Sequence, residues 1–162
     1  MTNYISDHEV AKMKVGSEFA GYFSSYPVKP VIIWESQIEE PFGNGEALLL
    51  FGELYVKLSV DRFDVSAIVS RSSNANAGVF IYDILKTLDV ISVTFREGFS
   101  MEEMATYFKE ELAGISLLLA TTSGISKVKH VGEVANRDWM DSVRARSAAN
   151  RRIKEQAIRK QE

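Results

Sequence analysis

Ser100-Met101-Glu102-Glu103 is a capping box, and it constrains this chain more than any other feature. The Ser100 hydroxyl is placed to accept from the amide of residue 103, and the Glu103 carboxylate to accept from the amide of Ser100. Phe99 and Met104 bracket the box as a hydrophobic staple, and Gly124 stands where a left-handed residue would close the helix. A helix is therefore expected from Met101 to about Ala120. VISVTF ahead of it (Val90 to Phe95) and ISKVKHV behind it (to Val131) read as strands. The pattern specifies an α+β fold: an antiparallel sheet with two helices packed on it and a basic, helical C-terminal segment.

A second box, Ser6-Asp7-His8-Glu9 with Ile5 and Val10 as its staple, predicts a first helix from residue 7 to about Ser24. Gly16 and Gly21 weaken that helix by about 1 kcal/mol each relative to Ala, so tertiary packing must hold it. Tyr26-Pro27 and Lys29-Pro30 force extended backbone, and PVIIWES follows as a short strand. Residues 41–45, PFGNG, form a turn-rich loop. Leu54, Val56, Leu58 and Val60 share one face of the next segment, as Phe63, Val65, Ala67 and Val69 do of the one after it. The two read as an antiparallel hairpin turning near Asp61-Arg62. Ser70 to Gly78 is a polar loop without periodicity. GVFIYDILKTLD fits helix by the spacing of Ile81, Ile84, Leu85 and Leu88 and strand by its β-branched and aromatic content, with a short helix preferred. The second half of the capped helix, AGISLLLA, is apolar nearly all round and implies cover on more than one side.

Length and composition fit one domain: residues 1–135 as an α+β sandwich and 136–162 as a basic segment that projects or packs on a partner. The chain has no cysteine, which removes thiolate metal sites and cysteine nucleophiles. No apolar run reaches the roughly 18 residues of a membrane span, and MTNYISDHEV does not read as a signal peptide. The net charge of −3 conceals an asymmetry. From Val131 onward eight Lys or Arg face five acids, a balance of +3, so the first 130 residues carry −6. An acidic body with a basic end suggests self-association, an acidic partner surface or nucleic acid, against the plainer reading of a solvated helix.

Catalytic chemistry finds little footing. His8 and His130 stand alone, without a second ligand at metal spacing, and no G-x-S-x-G is present. Glu35, Glu39 and Glu40 flank Trp34 and would serve a glycosidase only if two of them faced one cleft. Gly43-Asn44-Gly45 lacks the Lys and Ser/Thr of a phosphate loop and reads as a turn. The basic end lacks the interleaved aromatics that stack on bases. No catalytic, metal or cofactor site is assigned. The interface candidates are Trp34, Phe42, Trp139, Met140, Arg144, Arg146, Arg151 and Arg152, because Trp and Arg dominate interface energetics. Core burial is the competing reading of the two tryptophans.

The order of elements resembles the head–tail joining proteins of tailed bacteriophages, the neck or tail-terminator family. The resemblance is carried by PVIIWES, a Pro-containing loop before a long hairpin, VISVTFREG running into a helix, the Gly124 to Val131 strand, Trp139, and Arg144-Ala145 or Arg146. It implies a hexameric ring, assembled in the bacterial cytoplasm and carried in the virion. Such a ring meets other neck or tail proteins and lets DNA slide through its lumen without specific binding. The helical character of RSAANRRIKEQAIRKQE departs from the final strand of that family. The alternative is a small acidic immunity-type protein that blocks a toxin.

Overall fold

A computed structural model describes residues 13–38, 43–62, 64–74, 77–92 and 98–159. It is α+β, as the sequence predicts. A five-stranded antiparallel meander runs in the spatial order of the chain: β1 (Val31–Glu35), β2 (Gly45–Phe51), β3 (Leu54–Asp61), β4 (Asp64–Ser70) and β5 (Val79–Phe80). Four helices accompany it: α1 (Val15–Gly21), α2 (Ile81–Thr87), α3 (Met101–Leu119) and α4 (Thr122–Arg159).

Alternation sets the inner face of the sheet. Ala47, Leu49 and Phe51 of β2, Leu54 to Val60 at every second position of β3, and Val65, Ala67 and Val69 of β4 are buried, while the residues between them are not. The expected hairpin is present and is one strand longer. EALLLFGELYVKLSV divides at Gly52, whose φ of +63° makes the tight reversal from β2 to β3. Asp61 pairs with Asp64 around the next turn, where Arg62 takes a positive φ and donates its amide to Asn44 Oδ1 at 3.0 Å. Phe63 and Phe42 lie outside the described residues.

The helices pack on this face through an aromatic cluster. Phe23 lies 5.0 Å from Phe19 and 4.9 Å from Phe51 between ring centroids, and Phe108 of α3 closes the group at 5.8 Å from Phe19. Tyr26 ties the end of this segment to α3 by donating its hydroxyl to the Lys109 carbonyl at 2.6 Å. The capping box of α3 is present in both halves: Glu103 N–H donates to Ser100 Oγ at 3.1 Å and Ser100 N–H to Glu103 Oε2 at 2.7 Å. Met104 is fully buried, while Phe99 stacks on Tyr82 at 4.4 Å and meets Tyr107.

The structure corrects several expectations. The first helix does not run from residue 7, because Lys14 is extended and bridges Gln37, so α1 begins at Val15; the Ser6 box, with His8, lies outside the described residues. Gly16 is more than a weak helix residue, since a Cβ there would come within 3.3 Å of both Ala47 and Ile32, so its absence lets α1 lie close on the sheet. Val90 to Ser92 is not a strand, and Val93 to Glu97 lies outside the described residues. GVFIYDILKTLD resolves into both of its readings, a two-residue strand and then α2.

The largest correction falls after α3. ISKVKHV is not a strand and His130 does not end one; both belong to α4. Gly124 is not a left-handed cap, for α3 ends at Ala120 in right-handed helical geometry. Thr121 instead starts the next helix: its Oγ1 accepts from Gly124 N–H at 3.0 Å and its carbonyl from Ile125 N–H at 3.1 Å. A Cβ on Gly124 would strike the Leu118 backbone, with the carbonyl carbon only 2.9 Å away. The glycine is there because two helices turn into each other within two residues.

Candidate assembly interface

Helix α4 has 38 residues and spans about 57 Å. Only its first third rests on the body. Val128 is fully buried and Gly132 lies against Asp83 of α2, where a Cβ would come within 2.8 Å of the carboxyl carbon. From Asn136 to Arg159 every residue is exposed except half-buried Ser142. The helix passes unbroken through residues 135 and 136, and this outer part forms an arm of about 36 Å.

The arm is amphipathic. Trp139 and Val143, 42% and 40% exposed, continue the line of Val128 and Gly132, with Met140 on its flank and Ile153 farther out at 64%. Trp139 and Met140 are thus not core residues. Arg144, Arg151 and Arg152 share the opposite face, where Arg144 meets Asp141 one turn back at 3.5 Å. Arg146 lies on the apolar line, between Val143 and Ile153. Six of the eight candidates therefore lie together on one helix.

Trp34 belongs to a different surface. In β1 the register slips between Ile32, which pairs with Leu49, and Trp34, which pairs with Leu48. That bulge sends Trp34 to the outer face while Ile32 packs inward. Trp34 heads a row crossing the sheet through Leu48, Lys57, Ile68 and Phe80, in which Trp34 and Phe80 are exposed and the three between are half-buried. Sequence reasoning missed this face. The available signal was ALLLF in β2, a continuous apolar run that implies burial on both sides of a strand.

Of the three carboxylates weighed for catalysis, Glu35 accepts from Ser17 N–H at 2.7 Å and Ser17 Oγ at 2.8 Å, which anchors α1 to β1. Glu39 and Glu40 lie outside the described residues. Among the described residues no group of three or more His, Asp or Glu converges as metal ligands would, and no helix is long and apolar enough to cross a membrane. Acidic charge gathers instead on α3, where Glu102, Glu103 and Glu110 line a shallow outward groove beside Tyr107. Leu117 on the same helix is 76% exposed, so the cover expected around AGISLLLA is incomplete within one copy. Comparison with family models, curated proteins and solved structures gives no match to this chain.

Proposed function

We propose that this protein works by self-association and not by catalysis, as a structural assembly protein held together through the α4 arm. The observation that carries the reading is the arm itself. Some 24 residues of helix project with Trp139, Met140, Val143 and Ile153 uncovered. An isolated helix is marginal in water, and most helical stability in proteins comes from packing an apolar face. Exposed Trp flanked by Arg is also the composition of interface hot spots.

The phage head–tail joint is the setting that the sequence resemblance implies, with a ring of copies around a DNA passage and contacts to neighbouring neck or tail proteins. The uncovered apolar stripe of the arm and the acidic balance of the body support that setting. The Gly124 to Val131 helix does not, since a strand carried that part of the likeness. A second reading, an immunity-type protein that covers a basic toxin surface, is favoured by the acidic groove of Glu102, Glu103 and Glu110.

Light scattering on the full chain and on Trp139→Glu, at low and at physiological salt, tests the reading. A discrete oligomer that falls to monomer in the variant, with unchanged circular dichroism of the body, is the expected result. A wild-type monomer in both salts would transfer weight to the toxin-blocking reading.

A further inference from the structure

We infer that the occupant of the exposed stripe on α4 is the α4 arm of a second copy, running antiparallel about a two-fold axis near residue 146. The inference rests on the self-association reading and adds the partner surface and its polarity. Along the arm, Trp139, Val143, Arg146, Asn150, Ile153 and Ala157 follow one another at steps of three and four, the spacing that keeps residues on one side of a helix. The stripe is balanced about its middle. Reversing one arm about residue 146 sets Trp139 opposite Ile153, Val143 opposite Ala149 and Ala135 opposite Ala157, with Ser142 opposite Asn150 as a polar layer between them.

Charge decides the direction. Residues 133–143 hold Glu133, Asp138 and Asp141 against Arg137, a net −2. Residues 144–159 hold Arg144, Arg146, Arg151, Arg152, Lys154 and Arg159 against Glu155, a net +5. Parallel arms would lay the basic half on the basic half. Antiparallel arms set it alongside the acidic half of the partner, with Arg144, Arg151 and Arg152 on the outward side, and the like charge nearest the contact is Arg146 at the axis, where a long side chain can carry its head out to water. Length fits as well. Two arms overlapping in this register end where α4 meets its own body near Gly132, so each tip takes over the stripe where α2 leaves it. A two-fold contact of this kind joins whole subunits in pairs, so an assembly built on it has an even number of copies. The open sheet face bearing Trp34 is the surface left for any second contact.

The absence of cysteine makes the test direct. Ser142→Cys and Asn150→Cys are made separately in the full chain, and disulfide formation under mild oxidation is followed for each alone and for their mixture. In the antiparallel register residue 142 faces residue 150. Its own copy lies about 12 Å away along the helix, beyond the roughly 7 Å that a disulfide spans. The mixture should link at least tenfold faster than either variant alone, and less at high salt. Rapid linking of Ser142→Cys with itself would show parallel arms and overturn the inference. An oligomer by light scattering with no linking in any sample would place the arm on some other surface, which overturns the inference and leaves self-association standing. A wild-type monomer would overturn both, with an acidic protein, nucleic acid or lipid surface then taking the arm. Trp139→Glu added to both cysteine variants should abolish linking while the body keeps its thermal midpoint.

Discussion

The carboxyl group of Asp83 on α2 lies directly against the backbone of Gly132 on α4, leaving no room for a side chain there. Helix propensity alone would have Gly132→Ala stabilise α4 by up to about 1 kcal/mol. Contact with Asp83 reverses the sign, and a loss of about 1 to 3 kcal/mol is expected from overpacking. Urea denaturation measures it. A double change with Asp83→Ala should recover part of the loss, and strict additivity of the two changes would contradict the contact.

Gly124 and Gly21 offer a contrast within one chain. A Cβ on Gly124 would run into the Leu118 carbonyl, whereas one on Gly21 meets nothing within 4 Å. Gly21→Ala should therefore raise stability by about 0.5 to 1 kcal/mol, the ordinary helix gain. Gly124→Ala should cost about 1 to 3 kcal/mol and loosen the turn between α3 and α4. Thermal melts of the pair in parallel check both signs, and equal effects would refute the assigned close approach.

Removal of the cap tests how much the capping box holds the start of α3. Ser100→Ala leaves Glu103 N–H without its side-chain acceptor and should cost about 1 kcal/mol. Glu103→Gln keeps a side-chain acceptor for Ser100 N–H and should cost less. The reverse order, measured by denaturant midpoint, would mean that the carboxylate charge near the helix start outweighs the hydroxyl cap.

Glu18 is the group whose burial pushes its carboxyl above the ordinary value of 4.5. The folded state then holds the proton more tightly than the unfolded chain. Its contribution to stability is fully present below the unfolded value and declines as pH rises through the folded one. Glu18→Gln should remove that decline, so the variant gains on wild type between acid and neutral pH. Denaturation midpoints across that range would show the two curves converging at low pH; a gap that stays constant would assign the effect elsewhere.

Local chemistry in the sequence determined the capped helix α3, the alternating strands β3 and β4, the α+β class and the grouping of Trp139 with its arginines on a helix. Each follows from contacts within a few residues, so a linear reading can carry it. Gly124 shows where such reading stops. A glycine at a helix boundary suits a left-handed end as well as a close approach, and only the position of Leu118 distinguishes them. ISKVKHV carries Ile125, Val128 and Val131 at a spacing of three, which suits a helix face, while its β-branched content suits a strand, and only the cap that Thr121 provides in the structure selects the helix. The bulge that turns Trp34 outward depends on how β1 registers on β2 and leaves no mark in VIIWE itself. The tertiary structure alone decided that α4 begins at Thr122 and rests its first third on α2 before it projects. The contact of Gly132 with Asp83 joins residues far apart in the chain, and helix propensity along α4 carries no record of it.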